Sequence, residues 1–131
     1  MSQSVPSPAV RWAKELAILW TIGIFVACLW PGKELPKTDI PFADKWTHLI
    51  LFGGFALLWL RAYPRGARLP WLLTMAVIAT AVGTLVELFQ GWFPSLGRSR
   101  DVYDALADGI GGVIGVIIFG LSYHYFLKKN N

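Results

Sequence analysis

The chain has a single cysteine, Cys28, in 131 residues. That excludes an internal disulfide and a metal centre built from several thiolates. Cys28 lies inside an apolar run, which reads as a buried, inert thiol. Charge is scarce as well. Charged residues make up 15% of the chain, against about 25% in a soluble globular domain. No GxGxxG, P-loop, GxSxG or CxxC pattern is present, so nothing points to a nucleotide, a serine elbow or a thiol redox pair. No internal repeat or low-complexity segment is evident. The net charge of +4, in so apolar a chain, reports loop topology rather than nucleic-acid binding.

Apolar residues are abundant instead. They make up 55% of the chain, which also carries seven tryptophans, a residue that favours the membrane interface. The fold class expected is an all-α membrane protein, a four-transmembrane-helix bundle with a polar cluster at the outer helix ends. Residues 1–10 read as a flexible tail, and 11–128 as one domain. A helix of about 20 residues crosses the hydrocarbon. The first, taken from Trp12 to Trp30, meets that length. A signal peptide based on Arg11 and Lys14 is the competing reading. The stretch Phe25-Val26-Ala27-Cys28 approaches a lipoprotein cleavage box, but phenylalanine stands where such boxes prefer an aliphatic residue, so a retained helix is expected. Prolines break the chain at Pro31 to Pro41. A second helix follows from near Asp44 to Leu60, a third from Trp71 to about Gly91, and a fourth from Asp101 to Leu127.

Four spans put both termini and the second loop on one side. That side holds Arg11, Lys14, Arg61, Arg65, Arg68, Lys128 and Lys129; the other holds Lys33, Lys37, Lys45, Arg98 and Arg100. The basic excess places the termini in the cytoplasm. Every acid except Glu15 falls toward the other side.

The acids are not scattered there. Asp44, Lys45 and His48 open the second helix, Glu87 and Gln90 close the third, and Arg98, Arg100, Asp101, Asp104 and Asp108 fill the turn and the start of the fourth. At 100° per residue Asp101, Asp104 and Asp108 share one stripe, which Gly111, Gly112 and Gly115 continue. Ala76, Thr80, Gly83, Glu87 and Gln90 form a similar face on the third helix. Small residues let membrane helices approach closely. Carboxylates at membrane depth need partners, and Arg98, Arg100, Lys45 and His48 are the ones at hand.

These residues resemble the VanZ-like membrane proteins. The resemblance lies in DKxxH at Asp44, Lys45 and His48, in ExxQ at Glu87 and Gln90, and in RSxDxxDxxxDxxGxxxG from Arg98 to Gly115, across roughly residues 44 to 116. It implies a small multipass bacterial membrane protein of a type named for reduced sensitivity to teicoplanin, a lipoglycopeptide. It supplies no settled biochemical activity. At the position of Asp108 that family often carries asparagine, so aspartate here adds a titratable group.

Three functions fit the cluster. The first is binding of an anionic lipid headgroup or lipid-linked glycan, with Arg98, Arg100 and Lys45 on phosphate and Asp44, Asp101, Asp108 and Gln90 orienting them or meeting hydroxyls. The second is an enzyme acting on such a lipid, with His48, Glu87 and Asp104 as acid–base groups. His48, Glu87, Asp104 and Asp108 also make an acceptable hard-ligand set for a divalent ion, although no recognised metal motif is present and no cofactor is expected. The third is structural: a salt-bridged cap in which Arg98 and Arg100 pair with Asp101 and Asp104. Proton-coupled transport through Asp108 and Glu87 is a further possibility.

Overall fold

In the computed structural model the described residues are 8–63 and 65–129, with 126–129 described by their backbone alone. Residues 1–7 of the expected tail and Pro64 of the second loop lie outside them. Four long helices make up the chain: α1 (Pro8–Leu29), α2 (Ala43–Ala62), α3 (Leu69–Trp92) and α4 (Val102–Lys129). Two 3₁₀ turns, Gly32–Glu34 and Pro94–Leu96, sit in the first and third loops, and there is no strand among the described residues. Among the described residues α1 runs from Pro8, ahead of the expected start at Trp12.

The ends of the helices follow from local chemistry. Pro31 and Pro94 lie just beyond α1 and α3 and cannot continue them. Pro70 sits in the first turn of α3. Asp101 caps α4, its Oδ1 accepting from the Tyr103 amide at 2.7 Å, as an N-cap side chain does. α2 is entered through Phe42, a bulky residue at φ 56°. That left-handed backbone costs about 1–2 kcal/mol.

Three of the helices, α1, α3 and α4, are long and apolar enough to cross a membrane. α2 falls short because its first turns carry Asp44, Lys45 and His48. Yet α2 is the centre of the bundle, touching α1, α3 and α4. Phe52, Phe55, Ala56 and Leu60 of α2 are buried with Ile24 of α1, Met75 and Val86 of α3, and Phe119 of α4. The outward faces stay apolar, with Leu19, Ile22, Val77, Leu106, Ile117 and Leu121 all exposed.

Glycine sets how closely the helices meet. A Cβ on Gly111 would strike the Leu49 carbonyl, and one on Gly115 the Gly53 carbonyl. Gly112 instead faces α3, where its Cβ would lie 2.7 Å from that of Ala79. The expected single glycine stripe therefore divides between two neighbours. On α3 the buried face is Met75, Ala79, Gly83, Glu87 and Gln90, while Thr80 is exposed. The expected face is displaced because α3 must meet α2 and α4 together.

Hydrogen bonds tie α1 to α2: Trp20 Nε1 donates to the Leu51 carbonyl at 2.8 Å, and Trp59 Nε1 to Thr21 Oγ1 at 3.0 Å. At the end where α1 starts, the Arg65 guanidinium lies 4.7 Å over the Trp71 ring. A cavity of about 990 Å³ there is lined by Arg68, Trp71, Tyr123 and His124; it holds no carboxylate. The carboxylates gather at the other end.

Candidate functional site

At that end α2 begins, α3 finishes and α4 starts, so three chain segments deliver polar side chains to one level. The upper group is built on Lys45. Its Nζ lies 2.9 Å from Asp44 Oδ2, 3.0 Å from Asp101 Oδ2 and 2.9 Å from Asp104 Oδ1. One ammonium, with three donors, thus closes a triad of carboxylates drawn from α2 and α4. Arg98 and Arg100 do not pair with Asp101 and Asp104, as a salt-bridged cap built on arginine would require. Lysine does so because α2 and α4 approach closely enough for a side chain only four carbons long to reach all three acids. Lys45 and the Tyr103 amide hold the carboxyl of Asp101 below the ordinary aspartate range.

The lower group lies one turn deeper. His48 Nδ1 and Asp108 Oδ1 are 2.8 Å apart. Glu87 Oε1 is 3.9 Å from the same nitrogen, too far for a hydrogen bond. Asp104 Oδ2 lies 3.9 Å from His48 Nε2. Glu87 Oε2 accepts from the Asp101 amide at 2.9 Å, but Glu87 Oε1 and Asp108 Oδ2 are buried with no hydrogen-bond partner. Gly83 makes room for this group: a Cβ there would lie 2.5 Å from Asp108 Oδ2.

α1 joins the site through its backbone. Gln90 Nε2 and Arg98 Nη1 both donate to the Cys28 carbonyl, at 2.7 and 2.9 Å, satisfying one of the acceptors left open at a helix C-terminus. Arg100 stands apart. It is exposed, its Cβ packs beside Gly91, and it meets neither carboxylate group. Of the residues picked out in the sequence, Asp44, Lys45, His48, Glu87, Gln90, Arg98, Asp101, Asp104 and Asp108 therefore converge, and Arg100 does not.

The VanZ/LLP1 family model matches residues 5–123. The chain belongs to the VanZ/LLP1 family. No curated protein and no solved structure matches it.

In this VanZ/LLP1 protein a cavity of about 710 Å³ opens above the lower group. Its polar wall includes His48, Gln90, Arg98, Asp101 and Asp104, and its apolar wall includes Trp30, Leu35 and Leu51. Thr47, Ser99 and the first-loop residues Gly32, Pro36 and Thr38 complete it. None of these was singled out in the sequence. The only signal was indirect: a proline-rich loop of fixed length must fold back over the bundle end. Gly32 is needed there, since its Cβ would lie 2.8 Å from the Gly97 carbonyl of the third loop.

Proposed function

We propose that this VanZ/LLP1 protein crosses the bacterial cytoplasmic membrane four times, with both termini in the cytoplasm. Its cavity then holds the headgroup of an anionic envelope lipid or lipid-linked glycan at the outer leaflet. The fourth span is α2, whose 20 residues extend about 30 Å. Its polar first turns lie at the bundle end and its centre is covered by the other helices. The orientation rests on the basic residues of the termini and second loop.

The observation that carries the headgroup reading is the placement of Arg98. Arg98 lines the cavity, and one donor of its guanidinium is held by the Cys28 carbonyl. The others face no acceptor among the described residues and suit an anionic oxygen. Lys45 does not share this role, because three carboxylates surround its ammonium. Asp44, Asp101, Thr47 and Ser99 offer partners for hydroxyls. That lining favours a hydroxylated headgroup with its phosphate on Arg98 over one carrying several phosphates. Trp30, Leu35 and Leu51 provide the apolar wall for the start of an acyl chain. A change in (lipo)glycopeptide sensitivity would be a cellular consequence of such binding.

The test is lipid mass spectrometry on the full chain extracted from a bacterial membrane. Arg98→Ala should lose the copurifying lipid, and Arg100→Ala should keep it. If Arg98→Ala keeps its lipid in full, the headgroup reading fails.

One observation favours a second reading, an enzyme acting on the bound lipid. His48 lines the cavity while Asp108 holds its Nδ1, as an acid orients a general base. In that case His48→Gln should retain lipid and lose turnover. Turnover that survives in this variant rules the base out.

A further inference from the structure

We propose that His48, Glu87 and Asp108 form a binding site for one divalent transition-metal ion that cross-links α2, α3 and α4. This goes beyond the headgroup reading and does not depend on it. Each residue offers one ligand atom, and these atoms lie within 4.8 Å of one another. Ligands held about 2 Å from a common ion lie at most about 4 Å apart, and His48 Nδ1 stands 2.8 Å from Asp108 Oδ1 and 3.9 Å from Glu87 Oε1. One imidazole with two carboxylates suits zinc or manganese, since imidazole favours the former and carboxylates the latter.

Charge supports the assignment. The side chains of His48, Glu87 and Asp108 are 5%, 2% and 0% exposed. Among the described residues the only basic group within 4 Å of Glu87 or Asp108 is His48. Two ionised carboxylates with a protonated histidine leave one uncompensated negative charge in a dry interior, which is costly. Two carboxylates, a neutral histidine and a divalent ion balance. The unpartnered Glu87 Oε1 is the second, independent mark. It faces His48 Nδ1 at 3.9 Å, too far for a hydrogen bond and close enough to share an ion. Asp44, Asp101 and Asp104 also have ligand spacing, but the Lys45 ammonium is bonded to all three and takes the place of a cation there.

The ion has a consequence for the cavity. A histidine that ligates through Nδ1 keeps its remaining proton on Nε2. His48 would then present a fixed donor at Nε2 and would not act as a general base.

The experiment uses the full chain, untagged, purified without chelator. Elemental analysis should find about one equivalent of zinc or manganese, as a single site requires. Chelator should lower the thermal midpoint. Zinc alone, at about a hundredfold excess over its dissociation constant, should raise it again by about 10 °C. Glu87→Gln, which keeps side-chain size, should lose metal and zinc response together, and Asp44→Asn should keep both. Protein with no bound metal and no shift with either zinc or manganese overturns the site. So does metal kept in Glu87→Gln but lost in Asp44→Asn, which would move the ion to the Lys45 group. Copurifying lipid is read separately, so failure of the metal site and failure of headgroup binding remain distinguishable.

Discussion

The two carboxylate groups at the end of the bundle both join α2 to α4, the lower one adding Glu87 of α3, and they differ in how their charge is met. The upper group, Asp44, Asp101 and Asp104, encloses the Lys45 ammonium. The lower, Glu87 and Asp108, encloses only His48 and leaves two buried oxygens without a partner. The upper group is also the wetter: the side chains of Asp44 and Asp101 are 58% and 34% exposed. So the lysine stands where water could have helped, and the interior acids, which water cannot help, have no lysine. Satisfaction of the upper group reads as structure. Incomplete satisfaction of the lower one reads as a place for something else, because a buried charge is retained only when paired or coordinated.

The strongest way to break the comparison is to break both groups together. Each spans α2 and α4, so each depends on the close approach at Gly111 and Gly115. Gly111→Leu would drive a side chain into the Leu49 carbonyl, and overpacking of this kind against backbone costs about 3 kcal/mol or more. Loss of monodisperse, cooperatively melting protein in detergent is expected. A variant that melts like the parent would show that the two helices are not held by that contact.

Next in size is removal of the upper cation alone. Lys45→Met leaves three carboxylates facing one another. The group is half-exposed, so its loss should fall between that of a surface pair and a buried one, about 2 kcal/mol by denaturant unfolding. The variant would then resemble the lower group, and millimolar calcium, which prefers oxygen ligands, should recover part of the loss. No calcium response would mean that the acids simply relax apart.

A smaller effect should differ in sign between the groups. In chelator, Asp104→Asn keeps an acceptor for Lys45 but removes the charge facing it, and should destabilise by about 1 kcal/mol. Glu87→Gln removes an uncompensated charge while keeping an acceptor for the Asp101 amide, and should stabilise by about 1 kcal/mol. If both variants melt lower, the two groups form one structural cap and the contrast between them disappears.

Much of this end of the molecule was legible from spacing. Asp101, Asp104 and Asp108 at intervals of three and four had to share a face, and counting helices brought them level with His48 and Glu87. Their pairing was not legible. Whether lysine or arginine meets Asp104 depends on an interhelical distance set by Gly111 and Gly115, and sequence names the small residues without saying which neighbour each one meets. Gly112, turned to Ala79, and Thr80, turned outward, show how a single predicted stripe divides when one helix packs against two. The Cys28 carbonyl was invisible for a simpler reason. Every residue has a carbonyl, and only the end of α1 leaves this one open for Arg98 and Gln90.

The finest probe of the comparison is the pH response of Asp101, which belongs to the satisfied group. Asp101→Asn keeps the backbone amide that Glu87 Oε2 accepts from, and an asparagine oxygen can still cap the Tyr103 amide. The substitution therefore isolates the charge facing Lys45. Because the folded carboxyl is held below its ordinary value by Lys45, its contribution is fully present above the unfolded value of about 3.9. It is lost as pH falls through the lower, folded value. The parent should melt slightly above Asp101→Asn at pH 6, and the difference should begin to shrink below about pH 3.9 and close as pH falls through the folded value. The side chain is a third exposed, so salt should shrink the difference at every pH. A gap that persists unchanged at pH 3 would mean that Asp101 acts through its cap and not its charge, and the upper group would then be held by Asp44 and Asp104 alone.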